Sequence, residues 1–251
     1  MRNLVYDVQR YYRTVAPFMA AELAGRGDEA LWREVGRQHR HGRILEIGCG
    51  SGRVTAVLAE AGARVLGIDV SPDLLRQAQQ NAAGTSVRLL LTDARQMALR
   101  AEFQAIVAPD DPFSHLTSGG DRDQVLRGVA RHLAPEGIFV LDALWFPAGK
   151  VDKVAGHDLT INGQLVHVTE HWRCNQRTHR CATEYNYDSG AGEPAHARFE
   201  ARYWTPPELC ERFERAGLRI TQRWGSYDGQ PWDEQRSECL VVEARPQVRH
   251  P

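Results

Sequence analysis

Between Arg43 and Trp145, short apolar runs alternate with segments of helical periodicity. The runs are RILEIG (43–48), RVLGIDV (64–70), VRLLLTD (87–93), FQAIVAP (103–109) and IFVLDALW (138–145). Each is too short for a buried helix and is apolar at successive positions, the pattern of a strand covered on both faces. Between them, 51–62, 71–82 and 122–137 place their apolar residues on one helical face. Gly62 marks the end of the first of these helices, and Ser71 with Pro72 the start of the second. Such alternation predicts an α/β fold, a doubly wound parallel sheet with helices on both faces.

The flanks depart from this pattern. Residues 4–25 carry Leu4, Val8, Tyr11, Tyr12 and Val15 at helical spacing, broken by Pro17, and 28–39 reads as a second short helix. From 147 to 204 the helical signals stop. Asn162-Gly163 between two strand-like runs predicts a type I′ hairpin, and the β-rich stretches RCATEYNYD and HARFEARYW extend it to an antiparallel insertion of about four strands. A capped helix (205–217) and two strands (218–224, 238–245) close the pattern. Three parts are expected: a helical cap over 1–42, a core formed by 43–146 and 205–251, and a β insertion over 147–204.

Composition removes several function classes. A formal net charge of -1 over 251 residues gives no global field that would recruit nucleic acid or an anionic membrane. No apolar run approaches the ~18 residues of a membrane span. The stretch MRNLVYDVQRYYRTV is charged and does not resemble a signal peptide. Cys49, Cys174, Cys181, Cys210 and Cys239 contain no Cys-x-x-Cys pair, so a structural zinc site is not expected. All five are expected as thiols of a reducing compartment, and the protein as cytoplasmic. Histidines 157, 167, 171, 179 and 196 have no compact ligand spacing, because His167 and His171, four apart, lie on a predicted strand and not a helix, so no metal is expected.

The chemistry concentrates on the first strand-to-helix turn. Gly48, Gly50 and Gly52 follow the strand at every second position, where a backbone approached closely by a ligand would need them. A phosphate-binding P-loop would require a Lys that is absent, and a dinucleotide fingerprint would require a small residue where Arg53 stands. Asp69 ends the second strand, where a carboxylate can accept both hydroxyls of a ribose. Its alternative is a helix cap, a place Ser71 already fills. Asp93 ends the third strand, where a carboxylate can accept from an adenine amino group or simply sit in a solvated loop.

The stretch ILEIGCGSGRVTAVLAEAGARVLGIDVSPDLLRQAQQN resembles the first half of a class I S-adenosylmethionine-dependent methyltransferase. LLLTDARQM and LAPEGIFVLD are similar to later segments of the same family, and 205–245 to its last helix and antiparallel hairpin. The resemblance implies a Rossmann-like seven-stranded sheet with its last strand antiparallel, here with the β insertion after strand 5. It implies S-adenosyl-L-methionine as cofactor, with Glu46, Gly48 and Gly50 at its methionine end. It further implies Asp69 at the ribose, Val70 against adenine, Asp93 and the Ala94 amide at the adenine edge, and Ala108 or Pro109 beside the sulfonium.

The acceptor is less constrained. Asp110-Asp111-Pro112-Phe113 departs from the D/N-P-P-Y/F segment of base methyltransferases at its second position, which argues against a nucleic-acid acceptor. FSHL (113–116) resembles a segment of small-molecule N-methyltransferases, among them enzymes acting on sugar amines, which makes His115 a candidate base or orienting group. Its alternative is a structural histidine within the loop. The family's N-terminal helix often supplies a tyrosine, so Tyr12 and then Tyr11 are candidates, with helix packing as the alternative. The aromatic residues of the insertion (Trp172, Tyr185, Tyr187 and neighbours) can form one packed face or a substrate wall. The expected activity is methyl transfer to an N or O atom of a small molecule by the cytoplasmic enzyme, with a homodimer admissible. The competing readings are a non-catalytic cofactor-binding interaction module and a methyltransferase acting on a nucleic acid or a protein.

Overall fold

A computed structural model of the protein describes residues 4–146, 152–237 and 239–247. The alternating half of the chain forms β1 (Arg43–Ile47), β2 (Arg64–Asp69), β3 (Arg88–Leu91), β4 (Phe103–Ala108) and β5 (Leu133–Ala143). These are joined in part by α4 (Arg53–Glu60), α5 (Pro72–Asn81) and α6 (Gly119–His132). Three helices precede them: α1 (Leu4–Val15), α2 (Met19–Glu22) and α3 (Glu29–Gln38). After the insertion come α7 (Pro206–Arg215), β10 (Leu218–Trp224) and β11 (Leu240–Pro246). The seven strands are ordered β10-β11-β5-β4-β1-β2-β3. β1 to β5 run parallel, and β11 is antiparallel to both its neighbours β5 and β10.

Burial follows from this order. β1 and β4 are central, and Ile44, Leu45, Ala105 and Ile106 are fully buried. Two layers of core form, one on each face: Leu45, Ile106 and Phe139 face α6 and α7, while Ile44, Val107 and Val140 face α3 and α4. Strand order reverses between β1 and β4, and a crevice opens at their carboxyl ends.

Ser71 caps α5 through its hydroxyl and Pro72 occupies the first turn, as the sequence predicts. The helix expected at 122–137 is displaced. It spans Gly119–His132, and β5 already begins at Leu133, which pairs with Phe103. The apparent stop signal APEG therefore lies inside an irregular strand start, where a register shift between Phe103 and Ala105 absorbs the extra residues.

The insertion is a separate antiparallel sheet of β6 (Lys153–Ile161), β7 (Gln164–Asn175), β8 (Arg180–Asp188) and β9 (Ala195–Arg202), in that order. Asn162 and Gly163 both take positive φ, 51° and 80°, as a type I′ turn requires. One face of this sheet packs on the N-terminal helices. Val15 and Phe18 meet Val168, Tyr187 and Ala197, with the Phe18 and Tyr187 rings stacked at 4.0 Å. Cys174 and Cys181 stand directly opposite each other across β7 and β8 and are disulfide-bonded, which corrects the expectation of five thiols. Sequence spacing of seven residues did not reveal that they face each other; the ladder register does. Among the described residues no helix is long and apolar enough to cross a membrane, and no cluster of His, Cys, Asp and Glu could hold a metal.

Candidate active site

The turn after β1 is built for close approach. Gly48, Gly50 and Gly52 all take positive φ. A Cβ on Gly48 would meet Pro112 at 2.6 Å, and one on Gly52 would meet Ala78 at 3.0 Å, so these two glycines serve contacts within the protein. A Cβ on Gly50 would touch only Leu74, at 3.9 Å, and would otherwise point into open space. That space is a cavity over the carboxyl ends of β1, β2 and β4, walled by the glycine turn, Asp69 and Asp93.

Nearly every residue expected from the sequence borders this cavity: Glu46, Gly48, Gly50, Asp69 and Val70 on one side, and Asp93, Ala94 and Pro109 on the others. Ala108 does not. It is fully buried in the core on β4, one residue short of the cavity wall, so of the two alternatives only Pro109 is exposed to it.

The acids divide by environment. Asp69 accepts the Gly50 N–H (2.9 Å) and the Ser71 N–H (2.8 Å), one on each oxygen, leaving a lone pair on each for an external donor. Burial raises its pKa and these amides oppose the rise. Glu46 is 2% exposed and accepts from the Thr55 hydroxyl. Burial pushes its carboxyl up to about 8, with Thr55 and Arg53 pulling the other way, so it is mainly protonated at neutral pH. Asp93 caps a single 3-10 turn at Ala94–Gln96 and pairs with Arg95, whose guanidinium is 2.6 Å away. The sequence did not point to this clamp, although Arg95 is only two residues away. Arg53, which argued against a dinucleotide, makes a two-pronged pair with Asp28 at 2.6 and 2.7 Å and so ties α4 to the segment before α3.

A second, open cavity of about 1570 Å³ lies between the seven-stranded core and the four-stranded sheet. Its walls are Tyr11, Trp145, Trp172, Tyr185 and Phe199, with Asp142, Glu170 and Lys153 among the polar groups. The insertion's aromatic residues thus do both jobs considered for them. Trp172 and Tyr185 line the cavity, whereas Trp204 is fully buried in the core with Arg122 over its ring at 4.0 Å. His167 and Arg198 point outward, 62% and 71% exposed.

Where the two cavities meet, the Tyr12 hydroxyl lies 2.8 Å from Nε2 of His115. Tyr12 comes from α1 and His115 from the one-turn helix Pro112–His115 after β4. Phe199 packs on His115 at 4.9 Å and on Tyr11 at 4.6 Å. Burial alone lowers the His115 pKa to about 4, so its imidazole is neutral at physiological pH. Burial foremost, then Asp69 and Asp110, raises the Tyr12 pKa, so its hydroxyl keeps its proton. The structural alternative for His115, a bond within its own loop, is not what the geometry shows. Its partner is 103 residues away.

Residues 44–137 match the family described as Methyltransferase domain. The protein is an S-adenosylmethionine-dependent methyltransferase. The methyltransferase is 27% identical over 204 residues to a cypemycin N-terminal methyltransferase of Streptomyces sp, spanning 79% of this chain and 81% of the relative. It is 27% identical over 192 residues to the dTDP-4-amino-2,3,4,6-tetradeoxy-D-glucose N,N-dimethyltransferase of Saccharopolyspora spinosa, spanning 74% and 75%. Its fold is similar to that of CalS10, an amino pentose methyltransferase of Micromonospora echinaspora solved with S-adenosylmethionine bound. That likeness has a TM-score of 0.73 and 24% identity, covering 91% of this chain and 97% of the other. The cofactor of this methyltransferase is S-adenosylmethionine, and the cavity at Gly50 and Asp69 has the open backbone and the spare carboxylate lone pairs to suit it.

Two contributors escaped the sequence reading. Phe199 was one aromatic among many on a predicted strand. Arg26 reaches the cavity edge from the cap, pairing with Asp110 (2.8 Å) and Asp142 (2.5 Å). Its signal was available: it stands between Gly25 and Gly27, both in left-handed backbone that turns the chain inward.

Proposed function

We propose that this methyltransferase N-methylates a small molecule carrying a basic amino group, with a nucleotide-linked amino sugar as the first candidate. The observation that carries this reading is the Tyr12–His115 hydrogen bond at the junction of the two cavities. Relatives named as N,N-dimethyltransferases of dTDP-amino sugars give the candidate class.

In this reading Glu46, Gly48 and Gly50 hold the amino-acid end of the cofactor, Asp69 the ribose hydroxyls, Val70 a face of the adenine, and Asp93 with the Ala94 amide its edge. S-adenosylmethionine supplies an electrophilic methyl group on a sulfonium. Pro109 borders the place where that methyl would lie. Neutral His115 and protonated Tyr12 orient the acceptor nitrogen from the other cavity, whose aromatic wall excludes water and fixes the line of approach. The nitrogen must present its lone pair; neutral His115 can accept a hydrogen bond from it, and the proton it sheds passes to water. Tyr11, on the acceptor side, lines the wall. The four-stranded sheet acts as a substrate lid, and residues 1–42 as a cap over both cavities. The setting is the cytoplasm. The exposed edges at Leu91 and Val154 admit a homodimer, and a net charge of -1 leaves nucleic acid outside the reading.

The test is methyl incorporation, read by mass spectrometry, with purified protein, S-adenosylmethionine and a matched panel. The panel holds dTDP-linked amino sugars, the corresponding hydroxy sugars and short peptides with a free N-terminus. Methylation of the amino sugars supports the reading. Methylation of the peptides alone moves the acceptor to a peptide amine, as in the cypemycin relative's name. Tight cofactor binding with no turnover on any acceptor supports the non-catalytic module.

A further inference from the structure

Among the described residues, only Tyr12, Met19, Leu23, Asp110 and His115 border both cavities, and Asp110 is the only carboxylate of the five. Its backbone is unusual. Asp110 and Asp111 take φ of 53° and 37°, the left-handed region that residues with a Cβ rarely enter. For Asp111 the reason is internal. Its buried carboxylate caps the one-turn helix through the Phe113 N–H and receives the Leu144 N–H at 2.8 Å. Asp110 makes no such bond. One oxygen pairs with Nη1 of Arg26 at 2.8 Å, and the other has no hydrogen-bond partner among the described residues. The side chain is 45% accessible although it stands at the meeting point of two cavities. Strained backbone that presents an accessible, half-satisfied carboxylate is strain stored where a ligand can use it.

The charges around it do not balance. Arg26 and Arg53 face Asp28, Asp110 and Asp142, two guanidiniums against three carboxylates. Both terminal nitrogens of Arg26 are engaged: Nη2 serves Asp142 and the Tyr227 hydroxyl, and Nη1 serves Asp110. Of the three carboxylates, Asp110 alone borders both cavities, and burial raises its pKa while Arg26 opposes the rise. Tyr11 and Phe199, beside His115, add the ring faces that favour a cation.

We propose that Asp110 selects the acceptor: its accessible carboxylate oxygen accepts an N–H from a cationic nitrogen at the junction of the cavities, so basic amines are taken in preference to alcohols of the same shape. Arg26 holds the other oxygen and keeps the carboxylate from turning away. The proposal rests on the amine-methyltransferase reading, but its test does not require turnover.

The experiment compares two cofactor-site ligands by calorimetry on the full chain. Sinefungin carries an ammonium group next to the transfer point, and S-adenosylhomocysteine carries a neutral thioether there. The wild type should bind sinefungin at least about tenfold more tightly, and Asp110→Asn should bring the two within about twofold while leaving S-adenosylhomocysteine unchanged. Asn tolerates positive φ, and Asp110→Gly, which fits the backbone better still, should behave alike. A sinefungin preference retained in both variants overturns the proposal. So does an equal loss of both ligands, which would make Asp110 a general scaffold residue. If the preference vanishes in the variants yet no amine is methylated, the proposed function fails while the charge assignment of Asp110 stands.

Discussion

At the scale of single residues, burial sets the chemistry more than identity does. Glu46 and Asp69 are both acids at the ends of neighbouring strands, but Glu46 is sealed against Thr55 while Asp69 is fed by two amides. With its pKa raised to about 8, Glu46 should lose its proton when a cationic ammonium group arrives beside it. Cofactor binding near pH 7 should therefore release protons, seen as a dependence of binding enthalpy on buffer ionisation, and Glu46→Gln should abolish that dependence. His115 runs the other way. Its neutral form persists down to about pH 4, so turnover should show no inflection near the ordinary histidine value of 6.5. At saturating cofactor, a rise of rate with pH then belongs to the acceptor amine and should keep its shape in His115→Ala. That variant and Tyr12→Phe should each lower turnover by at least about tenfold while changing cofactor affinity little. The same shift has a stability sign. The unfolded chain takes up a proton near 6.5 and the folded one only near 4, so acid erodes stability through His115 across that window.

At the scale of elements, the site is an assembly of ends. β1, β2 and β4 bring their carboxyl ends to one cavity, α1 closes it from above, and β9 borders the second cavity beside it. Gln9 fastens α1 by donating to the Val70 carbonyl, and Gln77 of α5 donates to the Ala16 carbonyl just beyond α1. Phe199 is the point at which the inserted sheet touches the junction, packed between His115, Tyr11 and Trp172. Phe199→Ala should raise the acceptor KM roughly tenfold, about 1.4 kcal/mol of lost ring packing, with cofactor affinity unchanged. Steady-state kinetics with either substrate varied separates the two effects. An unchanged acceptor KM would remove the insertion from the acceptor wall.

At the scale of the whole molecule, the N-terminal segment and the seven-stranded core are joined by a few charged groups at the cavity edge. Arg26 connects the cap to Asp110 after β4, Asp142 on β5 and Tyr227 after β10, and Asp28 links it to Arg53 on α4. Asp28 and Asp142 are 1% and 3% exposed, so removing their cation strands charge in the interior. Arg26→Ala should cost about 2–3 kcal/mol, less than a fully buried pair because Arg53 still serves Asp28, and lower Tm by roughly 5 °C. Thermal unfolding and proteolysis before Glu29 would check it. A wild-type Tm in the variant would show that the cap is held by its apolar contacts alone.

The sequence by itself determined the parallel core, the glycine turn and the acids at three strand ends, because strand period, helix caps and left-handed turns are local properties of a few adjacent residues. The Asn162-Gly163 hairpin was legible for the same reason. The tertiary structure decided everything that depends on distant residues meeting. It paired Tyr12 with His115, carried Arg26 to Asp110, set Cys174 against Cys181 and separated Trp172 at a cavity wall from Trp204 in the core. It also shortened one helix, because pairing of Leu133 with Phe103 outweighed the local stop signal at Gly137. Partners far apart in the chain leave no periodic trace, and only packing selects which candidates share a cavity.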